Sequence, residues 1–234
     1  MNKKIIVGLI ASDGAYKSAI DAARETCYHP ENIPDNISVY FLYGHRAGID
    51  IAKNEYKVIE NNFYCDHTEC KTNFILKTLE FYQWCLENVD FDYIYRGGAN
   101  CYLDLDLFNK SIEELNVPSS EAWYAHGIFA FAGVECVSGI GLLSRDMVEF
   151  VVKYKHRLMC AFFNYGKIDD IAMGAFLNIE QGFKPKLLHK MVQLRHDDIN
   201  EDTVNDSDAY YWFYRTNDPR CFHKVHEIKK GKRS

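Results

Sequence analysis

Two adjacent carboxylates, Asp169 and Asp170, stand where the sequence predicts the start of a helix over residues 168–181. The positive end of the helix dipole favours an ionised carboxylate at this place. Such a carboxylate can take a proton from a hydroxyl group held beside it, or it can simply cap the helix. Because neighbouring side chains point in different directions, only one of the two acids can serve a given substrate.

Three segments rich in small residues stand at the predicted ends of strands. Residues 11–14 (Ala-Ser-Asp-Gly) follow an Ile- and Val-rich strand over 3–11, and residues 96–100 (Arg-Gly-Gly-Ala-Asn) follow a short strand over 91–95. Ligands bind at the carboxyl ends of strands in open α/β sheets. Residues 138–141 (Ser-Gly-Ile-Gly) predict a tight turn, in which glycine either lets the backbone approach a ligand or serves the turn alone.

An Asp-x-Asp sequence, the pattern of many divalent metal sites, occurs at Asp104 and Asp106. A helix is predicted over 105–115, so Asp104 is interpreted as its N-cap. The alternative is a metal site formed by both carboxylates.

The elements that must position these residues alternate between strands and helices. A strand over 3–11, a helix over 15–27 and a strand over 37–43 form a βαβ opening, which predicts an α/β fold with a mostly parallel central sheet and helices on both faces. The 234 residues fit a single domain, with a polar, basic tail from about residue 216. The other predicted elements are helices over 71–88 and 145–157, strands over 123–128, 139–143 and 210–214, and an acidic loop or lid over 196–208.

The bulk composition excludes several classes of protein. A net charge of −6 argues against a nucleic-acid binder. No apolar run reaches the 18 residues that a membrane span needs, and the N-terminus does not resemble a signal peptide. Eight cysteines include no Cys-x-x-Cys pair, so we expect free thiols rather than a zinc site. These features predict a cytoplasmic protein without a membrane anchor.

Six segments, in order along the chain, carry a resemblance to a known family. Five of them are residues 23–27, 39–44, 92–96, 138–145 and 168–174. The sixth, between the second and third of these, is the stretch 66–84, which matches at Asp66, Asn73, residues 76–78 and Trp84. Together they resemble the β-1,3-galactosyltransferase and Fringe group, glycosyltransferase family 31, over roughly residues 3–215. The resemblance implies a single GT-A-type domain that binds a nucleotide sugar.

The resemblance also implies roles for individual residues. Asp170, with Asp169 as the second choice, is the candidate general base of an inverting hexosyl- or pentosyltransferase. The donor would be a nucleotide sugar, taken to be UDP-linked, and the acceptor a hydroxyl group of a glycan or glycoprotein. The candidate donor-binding residues are Ala11, Ser12, Asp13, Asp66, Lys77, Arg96, Asn100, Gly139, Gly141 and Arg215. Lys77 could instead be an ordinary residue on the surface of a helix. Arg96 could instead form an internal salt bridge with a carboxylate.

The chain departs from the family at its metal-binding residues. The metal-binding Asp-x-Asp would fall at residues 98–100, where this chain has Gly-Ala-Asn, and Phe213 stands where the family has a metal-binding histidine. The remaining weak candidates for metal ligands are Asn100, Asp104, Asp106 and His223. We therefore expect either no metal cofactor or weakly bound Mn²⁺ or Mg²⁺.

Two alternatives stay open at this stage. A degenerate domain could bind a nucleotide or sugar without transferring it, since the metal ligands are replaced. A plain nucleotide-binding or hydrolytic domain is disfavoured, because the sequence has neither a phosphate-binding loop nor a nucleophile elbow. The lack of a membrane anchor suggests a soluble enzyme of bacterial or viral type, or a shortened form of a longer protein.

Overall fold

The computed structural model describes residues 3–14, 16–46, 48–53, 55–131, 133–137, 139–188, 196–205, 213–215 and 218–231. The strands are β1 Ile5–Ile10, β2 Ile37–Tyr43, β3 Tyr56–Ile59, β4 Asn62–Cys65, β5 Tyr93–Gly98, β6 Cys101–Leu103, β7 Trp123–Ala125, β8 Ile128–Phe131, β9 Val134–Val137, β10 Gly141–Ser144, β11 Lys186–Leu187 and β12 Phe213–Arg215. The helices are α1 Lys17–Glu25, α2 Phe74–Asn88, α3 Leu105–Glu114, α4 Arg145–Lys153, α5 Lys155–Asn164, α6 Asp169–Gly174, α7 Glu201–Asn205 and α8 Pro219–Lys230.

A mostly parallel sheet of eight described strands forms the centre of the molecule. Its order is β11-β7-β10-β5-β1-β2-β4-β3, which places β1 near the middle. Six strands run in one direction, while β3 and β10 run in the other. The α/β fold with a mostly parallel sheet and a central first strand is confirmed.

Alternate residues of β1 enter two separate hydrophobic cores, as expected for a strand buried on both faces. Ile5, Val7 and Leu9 belong to one core, together with apolar residues of α1, α3 and α8. Ile6 belongs to the other, together with apolar residues of α2, α4, α5 and α6. Helices therefore cover both faces of the sheet.

Three predicted elements differ in the structure, and one element was not predicted. Residues 96–98 are not a loop, because they continue β5 and pair with residues 8–10 of β1. The predicted helix over 145–157 is divided at Tyr154 into α4 and α5. The predicted helix over 168–181 consists of α6 followed by a π-helix over Ala175–Glu180. A two-stranded hairpin of β8 and β9, which the sequence did not predict, precedes β10.

The C-terminal segments are more ordered than expected. Within the acidic segment 196–208, residues His196–Asp198 form a 3₁₀ turn and Glu201–Asn205 form α7, while 206–208 lie outside the described residues. The predicted solvated tail contains α8, whose Phe222 and Val225 are buried in the core because their spacing places them on one face of the helix. The predicted strand over 210–214 is β12, and its residues 210–212 lie outside the described residues.

The glycine at the start of β10 gives a first testable prediction. Gly141 has φ +82°, and a Cβ there would overlap the carbonyl oxygen of Tyr124 on β7. We expect Gly141→Ala to lower the free energy of unfolding by at least about 2 kcal/mol, measured by urea denaturation. Gly166→Ala is the control, because Gly166 has φ +80° but open space around it. Equal losses in both variants would show that the approach of β7 is not what requires Gly141.

Candidate active site

A cavity of about 240 Å³ lies at the carboxyl ends of β1 and β5, where ligands bind in open α/β sheets. We call it the strand-edge cavity. It is lined by Ile10, Ala11, Ser12, Tyr16, Lys71, Phe74, Arg96, Gly97, Gly98, Asn100, Cys101, Gly139, Asp169 and Asp170. The structure thus brings together seven of the residues that the sequence singled out as catalytic or donor-binding: Ala11, Ser12, Arg96, Asn100, Gly139, Asp169 and Asp170.

Arg96 connects the central sheet to the two predicted catalytic acids. Its guanidinium donates a short hydrogen bond to Asp169 Oδ2, and its other terminal nitrogen lies 3.9 Å from Asp170 Oδ1. Its Nε donates to Thr78 Oγ1 at 3.2 Å. Burial opposes the charge of Arg96, but the carboxylates of Asp169 and Asp170 outweigh burial and raise the pKa of Arg96. The guanidinium is therefore a permanent cation between the acids and α2.

The two acids have different surroundings. The side chain of Asp169 is 13% exposed and makes the closer contact with Arg96, while the side chain of Asp170 is 24% exposed. Asp170 Oδ1 also accepts a hydrogen bond of 3.1 Å from the backbone N–H of Gly139. Gly139 has φ +76°, a conformation that glycine adopts without strain. Asp170 is thus the more accessible acid, held in position from the side of the turn.

Among the residues of the cavity wall that the sequence analysis missed, three stand at the starts of helices. Tyr16 precedes α1, Lys71 opens a 3₁₀ turn, and Phe74 begins α2. All three stand where a helix starts beside the carboxyl end of a strand. That position was visible in the predicted βαβ order and is the signal that could have found them.

A second, smaller cleft continues from Ser12, which lines both spaces. Besides Ser12 it is lined by Asp13, Lys17, Ile20, Asp21, Arg24, Tyr43, Arg46 and Asn62, and its volume is about 210 Å³. Asp13 forms an ion pair with Arg46, in which Arg46 Nε lies 2.6 Å from Asp13 Oδ2. Asp13 therefore lies beside the strand-edge cavity and not within it.

Lys77, a candidate donor-binding residue, is not part of the cavity wall. Its side chain is fully buried, and its ammonium group contacts Glu69 Oε2 at 2.7 Å and the carbonyl oxygen of Ala11 at 3.2 Å. A buried ammonium group needs such partners to offset the loss of water. Lys77 thus supports the wall of the cavity from behind.

Three further candidate residues for binding the donor sugar are not among the described residues of the cavity wall. Gly141 lies inside β10, where its lack of a side chain serves the contact with β7. Asp66 follows β4 and is not part of the cavity wall. The backbone of Arg215 pairs with Cys101 in β12, but its side chain lies outside the described part of the structure, as does Ser138.

Three of the four weak metal candidates lie elsewhere in the fold. Asp104 caps α3 by accepting from Leu107 N at 3.2 Å, as the sequence predicted, and it lies 3.5 Å from Lys229 Nζ. Asp106 is exposed on α3, and His223 Nε2 on α8 lies 3.6 Å from a carboxylate oxygen of Glu25. Only Asn100 among the four lines the strand-edge cavity. It offers a neutral oxygen where Mn²⁺ or Mg²⁺ prefers charged oxygen ligands.

A mostly parallel α/β sheet with a polar cavity at its carboxyl edge is the arrangement of nucleotide-binding α/β domains. No family model matches the chain. The chain is similar to UDP-GalNAc:beta-1,3-N-acetylgalactosaminyltransferase 2 of Mus musculus and of Homo sapiens, with 21% identity to each over 145 residues. These alignments cover 54% of this chain and 28% of each relative, so the chain matches less than a third of their length. No helix among the described residues is long and apolar enough to cross a membrane.

Proposed function

We propose that the chain is an inverting glycosyltransferase that moves a sugar from a nucleotide-sugar donor, UDP-linked, to a hydroxyl group of a glycan or glycoprotein. The observation that carries this proposal is the cluster of Asp170, Asp169 and Arg96 inside the strand-edge cavity. A transferase needs an accessible carboxylate beside a space that can hold the donor sugar. Asp170 meets that requirement, and the similarity to two sugar transferases agrees with it.

The donor fits this site best when it spans both spaces. The nucleoside would lie in the cleft beside Asp13 and Arg46, and the diphosphate and sugar would pass Ser12 into the strand-edge cavity. Gly97 and Gly98 on β5 leave the floor of the cavity without bulky side chains. Lys71 supplies a cation that is not committed to the two acids, and it is the natural contact for a phosphate oxygen.

In the proposed reaction, the oxygen of the acceptor hydroxyl group attacks the anomeric carbon of the donor sugar, and Asp170 accepts the proton of that hydroxyl group. The bond from that carbon to the diphosphate breaks, and the nucleoside diphosphate leaves on the opposite face with the electron pair. Configuration at the anomeric carbon is inverted. The Gly139 N–H and Arg96 hold the carboxylates in place, and Lys71 opposes the charge that develops on the diphosphate.

One observation favours a second candidate function, a domain that binds a nucleotide or sugar without transfer. Arg96 interacts with both acids, and Asp170 Oδ1 also accepts from the Gly139 N–H, so the two acids can serve to hold the wall of a binding cavity in place. A binding domain would bind the donor but show no transfer to any acceptor.

Calorimetry with a panel of UDP-, GDP- and dTDP-sugars tests the proposal and the role of metal together. We expect UDP-sugars to bind most tightly, and we expect millimolar Mn²⁺ to raise their affinity by less than a hundredfold, about 2.7 kcal/mol, over excess EDTA. The reason is that Asn100 brings a neutral oxygen to the cavity, while the carboxylates of Asp169 and Asp170 are already in contact with Arg96. A larger rise would contradict this expectation, and Asp170 with Asn100 would then be the first ligands to examine. Failure of every donor to bind would contradict the proposed function.

Replacement of Lys71 tests the path proposed for the diphosphate. Lys71 is exposed at the mouth of the cavity, so we expect Lys71→Ala to weaken donor binding about fivefold, on the order of 1 kcal/mol. Lys110→Ala is the matched control, because Lys110 is an exposed lysine on α3 that pairs with Glu114. If both variants bind the donor equally well, the diphosphate does not pass Lys71.

A further inference from the structure

Cys65, His67 and Glu80 form a cluster outside the strand-edge cavity. Cys65 is the last residue of β4, His67 lies two residues later, and Glu80 projects from α2. Their sulfur, ring nitrogen and carboxylate oxygen atoms all lie within 4.8 Å of one another. Three types of metal ligand therefore converge from a strand, a loop and a helix.

The hydrogen bonds of this cluster leave one buried atom unsatisfied. His67 Nε2 lies 2.8 Å from Glu80 Oε1, and Cys65 Sγ lies 3.3 Å from the carbonyl oxygen of Tyr43. Glu80 Oε2 is buried and has no hydrogen-bond partner among the described residues. Buried carboxylate oxygens nearly always have a partner, so this atom indicates a group that the side chains do not supply.

We propose that Cys65, His67 and Glu80 bind a zinc ion, with water as the fourth ligand. A thiolate, an imidazole and a carboxylate are the three side-chain ligands that zinc accepts in tetrahedral sites. The absence of a Cys-x-x-Cys pair had argued against zinc, but here the ligands come from two elements and a loop that the fold brings together. The site is independent of the proposed transfer reaction.

The distances fit the proposed ion after small rotations of the side chains. Tetrahedral zinc with bonds of about 2.0–2.3 Å separates its ligand atoms by about 3.4–3.6 Å. The distance between His67 Nε2 and Glu80 Oε1 must therefore lengthen slightly from 2.8 Å. The two ligand atoms that lie farthest apart, at most 4.8 Å, must approach by little more than 1 Å. Binding releases the thiol proton of Cys65, and the ring hydrogen of His67 must lie on Nδ1 so that Nε2 is free to bind the ion.

A zinc ion here would stabilise the rear wall of the strand-edge cavity. The carbonyl oxygen of His67 accepts a hydrogen bond of 2.6 Å from His45 N, and Glu69 accepts one from Gly44 N. Glu69 also pairs with Lys77, which in turn contacts the carbonyl oxygen of Ala11. The ion would thus fasten α2 and the loop after β4 to the ends of β1 and β2.

Equilibrium dialysis of the metal-free full chain against zinc tests the proposal. We expect the wild-type protein to bind about one equivalent, and Cys65→Ser and Glu80→Gln to bind it at least about tenfold more weakly. Cys70→Ser is the matched control, because Cys70 is an exposed cysteine in the same loop and should not affect binding. With Co²⁺ in place of zinc, the wild-type protein should show a thiolate charge-transfer band that Cys65→Ser lacks.

Glu80→Gln keeps the test decisive if Cys65→Ser does not fold, because glutamine preserves the size of the side chain and removes only its charge. Zinc should also raise the midpoint of thermal unfolding of the wild-type protein and of Cys70→Ser, but not that of Glu80→Gln. The proposal is overturned if the wild-type protein takes up no zinc, or if Glu80→Gln binds it as tightly as the wild-type protein does.

Discussion

Replacing Asp170 by asparagine is expected to lower the rate of sugar transfer by roughly 10²- to 10⁴-fold while leaving donor affinity nearly unchanged. Asparagine keeps the size of the side chain and an oxygen that can accept from Gly139 N, so the turn should stay in place. It lacks the charge that takes the proton of the acceptor. Initial rates with a UDP-sugar, compared with donor affinity from calorimetry, separate the two effects.

Asp169→Asn is the control for this prediction. Asp169 is the less exposed acid and makes the closer contact with Arg96, so we expect its replacement to affect the rate less. If Asp169→Asn abolishes transfer and Asp170→Asn does not, the two acids have exchanged roles. Full activity in both variants would mean that neither is the base, while no transfer by the wild-type protein despite donor binding would favour the binding domain.

Arg96→Met is expected to lower the free energy of unfolding by about 3 kcal/mol, because it leaves two carboxylates without their buried partner. The side chain of Arg96 is only 4% exposed, whereas Asp170 keeps some contact with solvent, so the loss should fall at the lower end of the range for broken buried pairs. Urea denaturation measures it. The contacts of Arg96 are those of the internal salt bridge that the sequence allowed as the alternative, while its place in the cavity wall keeps it a candidate donor-binding residue.

A triple variant shows whether the charges cause that loss. Arg96→Met combined with Asp169→Asn and Asp170→Asn removes the cation together with both anions, and it should recover most of the lost stability, since a neutral replacement of a buried ion pair is often tolerated. If the triple variant is as unstable as Arg96→Met alone, the guanidinium acts through packing or through its bond to Thr78. An unaltered stability of Arg96→Met would contradict the ion-pair argument altogether.

The backbone of the site could be predicted well from the sequence. The predicted strand over 37–43 coincides with β2, because a run of Ile, Val and aromatic residues closed by glycine has little alternative to a buried strand. The placement of residues 11–14 and 96–100 at one sheet edge followed from the βαβ order, whereas Asp169 and Asp170 were selected through the resemblance and the predicted helix start. That the chain forms a single domain stays a prediction.

The direction of individual side chains could not be predicted in the same way. Lys77 looked like an exposed lysine on a helix, and nothing in its neighbourhood along the chain reveals that Glu69 neutralises it in the interior. Arg96 at the end of a strand could equally face a ligand or a carboxylate, and the choice depends on α6, which is distant in sequence. Periodicity predicts which face of a helix or strand is buried. Whether a charged side chain on that face meets a partner of opposite charge depends on residues that are distant in sequence.

The contact between Arg96 and Asp169 joins residues that are 73 positions apart in sequence. Closing so long a loop costs chain entropy before the contact can stabilise anything, and folds that depend on distant contacts form slowly. The first half of the chain supplies the guanidinium and the second half the acids, so neither half can assemble the cluster alone. The cluster therefore exists only once β5 and α6 have met.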